Sequence, residues 1–133
     1  MNASQSEQIQ NTEEGYPDFA KLTEMREELG DHFLLVMQHF QSGMLARPQK
    51  IRQAFQNNNP EQLALEGHSF KSLCRQLGLS QMETLSVTLE SMGRSGQLDG
   101  AAPLIERLLA YGLQAHCELQ KYCLACGKPS SVQ

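Results

Sequence analysis

The chain of 133 residues lacks the usual marks of a self-contained enzyme. It has no P-loop, no GxGxxG turn, no HExxH pair, no Ser-His-Asp arrangement and no carboxylate dyad, so nucleotide, zinc-protease and triad chemistry have no sequence support. It also lacks a long hydrophobic run. The longest candidate, FLLVM (33–37), is far shorter than the roughly 20 residues that cross a bilayer, and no membrane partner is expected. MNASQSEQIQNTEEG (1–15) has neither a basic n-region nor an apolar h-region and does not read as a signal peptide. A cytoplasmic location with reduced cysteines is the expectation. Basic charge is scarce as well: 11 Lys and Arg, dispersed along a chain of net charge -4, argue against a phosphate-backbone partner, and no nucleic acid is expected.

The four cysteines do not form a disulfide framework, because Cys74 sits in a helical pattern and the other three crowd the C-terminal end. Cys123 and Cys126 make a lone CLAC near His116 and Cys117. A second CxxC or an HxxxH is missing, so no metal site is expected, and the segment reads as a fraying helix end with exposed thiols. A redox CxxC expects a strand-to-helix context that is not present.

What is present is helical period throughout. Residues 1–15 are polar and predict a disordered tail. Pro17 and Asp18 suit a first helical turn, followed by an apolar stripe of Phe19, Leu22, Met25 and Leu29 that Gly30 ends. Asp31 can cap the next helix, whose stripe runs from Phe33 to Phe55, with Gly43 and Pro48 bending or interrupting it and Asn57 to Asn59 closing it. Asn59 and Pro60 are a strong start signal, and Gly78 takes the left-handed position that stops that helix. Ser80 and Glu83 read as a capping box launching a helix that ends at Gly93 to Gly96. Asp99 can cap a last helix that tolerates Pro103 in its first turn. With short connections and no hairpin signal, the fold class is all-α. The expected architecture is an antiparallel four-helix bundle over residues 16–122 with an additional short N-terminal helix, and a C-terminal tail over 123–133.

The stretch EGHSFKSLCRQLGL (66–79) carries the candidate chemistry. At about 100° per residue its apolar positions lie roughly 200° from His68, which therefore faces solvent. Ala64, Leu65, Lys71, Ser72 and Arg75 share that outer face. Two cations beside an imidazole favour its neutral, nucleophilic form and would stabilise a dianionic group attached to it. Ala64 and Ser72 are small enough to admit another protein, and Leu65 offers an apolar contact. The plain alternative is a solvated surface histidine, which is what His32, His39 and His116 are expected to be.

GHSFKSLCRQLG (67–78) resembles the histidine-containing phosphotransfer (HPt) domain of bacterial multistep phosphorelays, with its pattern H-x-L-K-G-S-(S/A)-x-x-(L/I/F)-G. His68 matches the phosphorylated histidine, Lys71 the basic position and Leu77-Gly78 the closing pair. LESMGRSG (89–96) is similar to the family's L-E-x-x-x-R-x-G ending. The likeness covers about residues 16–122. Phe70 replaces a leucine, Ser72 the glycine that gives clearance for an incoming receiver domain, and Leu73 a serine. Ser72 implies a narrower choice of partner, and Leu73, inward on the wheel, a packing exchange.

The resemblance implies a phosphoprotein that accepts a phosphoryl group on His68 from an aspartyl-phosphate receiver domain and passes it to a response regulator. Lys71 would stabilise the phosphoryl oxygens, with Arg75 a weaker candidate, while Ala64, Leu65 and Ser72 would meet the partner and Gly78 would serve structure. It further implies no cofactor of the chain's own, Mg²⁺ being supplied by the partner receiver domain, and no autonomous kinase activity. The implied partners are the receiver domain of a hybrid sensor kinase and a response regulator, met by a monomeric, free-standing relay protein. An alternative is an HPt-like binding module that docks on a receiver or kinase and regulates it without phosphotransfer. A generic helical adaptor is a third reading, in which His68 and Lys71 count for no more than other exposed residues.

Overall fold

A computed structural model describes residues 15–132, with side chains through residue 126. The tail expected over residues 1–15 lies outside the described residues except for Gly15. The elements are α1 (Phe19–Leu29), a 3-10 turn (Gly30–His32), α2 (Phe33–Gln56), α3 (Pro60–Gln76), α4 (Ser80–Ser95) and α5 (Ala101–Val132). Among the described residues there is no strand, and no helix is long and apolar enough to cross a membrane.

Helices α2 to α5 form a closed ring in which α2 packs on α3, α3 on α4, α4 on α5 and α5 back on α2. Short connections make successive helices antiparallel, and this is a four-helix bundle with α1 added at one end. The apolar stripes meet in one core, where Met37, Met44, Leu63, Phe70, Leu89 and Leu108 are fully buried. α1 is tied to the α3–α4 turn: the Asp18 amide donates to the Leu77 carbonyl at 2.9 Å, and Leu22 is buried beneath it. Its other side meets α5, where Phe19 and Phe33 pack on Tyr122 at ring separations of 6.0 and 6.1 Å. Phe19, expected inward, therefore stays partly exposed as a lid over that ring.

The local start and stop signals fare unevenly. Asn59 accepts a hydrogen bond from the Gln62 amide at 3.1 Å with Pro60 as the first helical residue, as expected of α3. Asp18 stands before α1 as its N-cap, not inside the first turn, because its Oδ1 is needed by the Ala20 and Lys21 amides. Asp31 does not cap α2. It lies in the 3-10 turn that joins α1 to α2, where the Phe33 amide finds the Gly30 carbonyl instead. The capping box of Ser80 and Glu83 does not form either. Buried Leu79 holds the N-cap position of α4, and Glu83 turns to Arg75, with Nε and Oε2 2.7 Å apart. Asp99 falls two residues before α5, whose first amide, that of Ala101, donates to the Leu98 carbonyl at 3.1 Å.

Gly43 and Pro48, expected to bend or interrupt α2, lie within one continuous helix. α2 continues through Pro48, which is buried. Proline has no N–H to give the Met44 carbonyl, and that carbonyl faces Gly112 of α5, where a Cβ would lie 2.5 Å from it. α4 ends at Ser95, within the stretch Gly93 to Gly96 expected to close it, with Gly96 in the left-handed region at φ 76° and Gly93 still helical. α5 does not end at Tyr122, the expected end of the bundle. Cys123 packs against the core and its Sγ accepts from Gln41 Nε2 at 3.2 Å, while Cys126 Sγ accepts from Arg26 Nη1 at 2.8 Å, so α1 and α2 hold the helix beyond that point.

Candidate functional site: a histidine and a carboxylate across the α3–α4 contact

α3 and α4 approach each other through two glycines. A Cβ on Gly67 would lie 3.0 Å from both the Ser86 carbonyl oxygen and the Glu90 amide nitrogen, and one on Gly93 would lie 2.5 Å from the Pro60 carbonyl and 2.6 Å from the Ala64 amide. These neighbours are backbone atoms, which cannot rotate away as a side chain can, so the separation of the two helices depends on glycine. His68 follows Gly67 directly, and the close approach brings the side chain of Glu90 within its reach.

The resulting cluster is compact. His68 Nδ1 lies 3.0 Å from Glu90 Oε2, Lys71 Nζ 3.0 Å from Oε1, and Arg94 Nη2 2.6 Å from Oε2. The Glu90 side chain is only 9% exposed, whereas that of His68 is 58% exposed, so the carboxylate is the buried anchor and the imidazole the accessible end. Burial pushes the Glu90 carboxyl up, but hydrogen bonds from Arg94, Lys71 and His68, with the charge of Lys71, outweigh it and hold the group at about 2. It is ionised at neutral pH and can only accept hydrogen bonds. A neutral imidazole bonded to it must therefore carry its proton on Nδ1, leaving the lone pair on Nε2 directed away from the bundle.

Glu90 and Arg94 were not among the site residues expected from sequence, although both stand in the LESMGRSG segment. The available signal was a charge at Glu90 on the same stripe of α4 as the buried Met82, Ser86 and Gly93. A carboxylate on such a stripe needs a partner.

Of the expected residues, His68 faces solvent and Lys71 lies one turn along. The expected pair of free cations beside the imidazole is corrected: the contact to His68 is a carboxylate, Lys71 is bound to it, and Arg75 is drawn off to Glu83. Ala64 is buried in the α3–α4 contact and is no open shelf, because Gly93 presses on its backbone. Leu65 and Ser72 are exposed. Beside them Glu61, Ala64, Leu65, Gly93 and Arg94 line a shallow groove of about 450 Å³. Leu73 is buried against Gly43, and Gly78, at φ 73°, has Asp18 where a Cβ would stand.

Two titratable groups away from this cluster are tied into the fold. His116 Nδ1 donates to the Gln41 carbonyl at 2.9 Å, and burial pushes the Cys74 thiol up so that it stays protonated. Among the described residues, no group of three or more His, Cys, Asp or Glu is placed to hold a metal ion.

An exposed imidazole with its proton assigned, a buried anion behind it and a lysine alongside can take up and release an electrophilic group at Nε2. Among solved structures, the fold is similar to the crystal structure of histidine-containing phosphotransfer protein B (HptB) from Pseudomonas aeruginosa PAO1. The TM-score is 0.74 and the identity 22%, over 80% of this chain and 92% of that one. No curated protein sequence matches. At this identity the structural likeness speaks for the fold, and the family rests on sequence. The family model of the Hpt domain matches residues 35–121, a span that starts inside α2, takes in His68, Lys71, Glu90 and Arg94, and ends within α5; the chain belongs to the Hpt domain family, the histidine-containing phosphotransfer proteins of phosphorelays.

Proposed function

We infer that His68 is the phosphoryl carrier: its Nε2 accepts the group from an aspartyl phosphate on the receiver domain of a hybrid sensor kinase and later gives it to an aspartate of a response regulator. The observation that carries this reading is the Nδ1 to Glu90 contact at 3.0 Å. It keeps the ring proton on Nδ1, so Nε2 presents a lone pair to the approaching receiver. As the Nε2–P bond forms, the P–O bond to the aspartyl carboxylate breaks and the electron pair leaves with that carboxylate. The ring retains its Nδ1 proton and becomes cationic, and Glu90 stabilises the new charge. In the onward step the regulator's carboxylate attacks phosphorus and the ring departs neutral, so one contact assists both directions.

Phosphoryl transfer needs alignment and charge stabilisation more than covalent machinery, which suits one imidazole on a rigid helix. Lys71 is the cation placed to exchange its bond with Glu90 for the phosphoryl oxygens, and Arg75, occupied by Glu83, is the weaker one. The receiver domain brings its own acidic pocket and Mg²⁺. Leu65, Ser72 and the groove edged by Ala64 form the ground on which it lands.

The test is transfer from receiver domains loaded with labelled phosphate. Acid-labile label should appear on the wild type, be absent from His68→Gln, and form roughly ten- to a hundredfold more slowly on Lys71→Ala. A receiver that binds the wild type tightly yet leaves it unlabelled would sink the relay in favour of a module that regulates by docking.

A further inference from the structure

Around His68 the cations are unequally free. Lys71 and Arg94 are both bound to Glu90, and Arg75 is bound to Glu83. Arg47 of α2 is not so engaged: its Nη1 donates to Ser69 Oγ at 2.8 Å, and among the described residues no carboxylate stands within ion-pair distance of it. α2 and α3 bring it there through an antiparallel register. A Cβ on Gly43 would lie 2.8 Å from Leu73 Cδ2, and one turn away along each helix, in opposite directions, Arg47 meets Ser69. Ser69 directly follows His68 and, at about 100° per residue, stands on the α2 flank of the imidazole. Lys71, drawn to Glu90 of α4, occupies the other flank.

We propose that Arg47 is a further binding residue for the phosphoryl group on His68. Its guanidinium turns from Ser69 to the phosphoryl oxygens and meets them from α2, while Lys71 stands on the α4 side. This rests on the carrier role of His68 and adds a contact that the bond to Glu90 does not supply. A phosphoryl group brings about two negative charges near neutral pH to a half-exposed site. Glu90 answers the charge of the ring, not that of the phosphoryl oxygens, which need a cation of their own.

What each cation must give up decides between them. Lys71 and Arg94 would each leave a carboxylate whose side chain is 9% exposed, losing an ion pair in a desolvated setting. Arg47 gives up one hydrogen bond to a neutral hydroxyl on a partly exposed serine, where water can take its place. Arg47 is partly exposed itself, so solvent lies open to its movement. One of its N–H groups is used by Ser69, and the others form a planar fork that matches two phosphoryl oxygens. The nearest acidic residues along α3, Glu61 and Glu66, lie N-terminal to His68, and Glu66 Oε2 is bound by Gln62 Nε2 at 2.8 Å. Ser72, one turn beyond the ring on the α2 flank, is uncharged and exposed.

The second ionisation of the phosphoryl group reads this contact, because a cation at its oxygens favours the dianion and lowers the pH at which it forms. The whole chain is loaded with phosphoramidate, whose P–N bond breaks and releases ammonia as the Nε2–P bond forms. The phosphorus NMR shift is then followed against pH, with His68→Gln in parallel to identify the signal. Arg47→Gln and Arg47→Met remove the charge, the second keeping an apolar stem beside Gly43, and Arg47→Lys retains it. The midpoint should rise by at least about 0.5 pH units in both neutral variants and stay near the wild-type value in Arg47→Lys, with helix content and melting temperature unchanged. Equal midpoints in the wild type and the neutral variants overturn the proposal, as does a rise that Arg47→Lys shows in full. A wild type that takes up no phosphoryl group, from phosphoramidate or from a phosphorylated receiver, sinks the carrier reading and this one with it. A loaded wild type with an unmoved midpoint in the variants sinks this one alone.

Discussion

Glu90 shows how one residue gives a surface histidine a defined chemistry. Its carboxylate binds an imidazole, an ammonium and a guanidinium while being almost wholly buried, and loss of both cations, Lys71 and Arg94, would leave a desolvated charge. Two outcomes follow at this scale. Glu90→Gln should slow phosphoryl transfer to His68 by about tenfold or more, since the amide can still orient the ring but cannot stabilise its positive charge; single-turnover labelling would measure this. The second is a pH dependence. The folded-state value of Glu90 lies near 2, below its ordinary 4.5, so its stabilising contribution is complete above pH 4.5 and is lost as the pH falls through 2. Urea unfolding between about pH 5 and about pH 2.5 should therefore show a steeper loss of stability for the wild type than for Glu90→Gln. Parallel curves would remove Glu90 from the acid response.

Between elements, the decisive contacts are those of backbone with backbone. α3 and α4 cross at Gly67 and Gly93, and α2 and α5 at Pro48 and Gly112. A methyl on Gly93 would stand 2.5 Å from the Pro60 carbonyl, so Gly93→Ala should cost about 1–3 kcal/mol in chemical denaturation. It should also lower transfer, because parting the helices moves Glu90 away from His68. At Gly67 the same methyl would have 3.0 Å to its nearest neighbours, and Gly67→Ala should be the milder of the two on stability. The reverse ranking in a denaturation series would mean that the α3–α4 contact closes differently from the geometry described. Pattern reading treats glycine and proline as breakers, and that is why Gly43 and Pro48 looked like interruptions and Gly93 only like part of a helix end: the period of a helix says where its apolar face lies, but not how near another helix comes to it.

For the molecule as a whole, the bundle separates support from exchange. One core of stripes from all the main helices carries the stability, and Phe70, fully buried two residues after His68, belongs to it. Phe70→Ala should cost about 3–5 kcal/mol, whereas His68→Gln, at a half-exposed site, should leave the melting temperature nearly unchanged. A thermal melt of each decides it, and a large drop for His68→Gln would make the histidine a structural residue. α1 locks one end of the bundle through the Leu77 carbonyl and the ring of Tyr122.

Helical period, the Asn59-Pro60 start and the left-handed glycine at 78 were legible because they depend on neighbours within a few residues. The outward aim of His68 was legible too, since a helix turns each side chain by a constant angle. These local regularities, joined to the spacing of His68, Lys71 and Gly78, determined the all-α class, the order of helices and the identity of the candidate histidine. What faces that histidine depends on residues 22 positions away, on a second helix whose distance is set by two missing Cβ atoms. Only the tertiary structure decided that Lys71 and Arg75 are engaged by carboxylates, that Ala64 is covered, and that Glu90 meets Nδ1 of His68. Periodicity orients a side chain on its own axis, whereas a hydrogen bond between helices requires their separation, register and rotation together, and those are properties of the packed core.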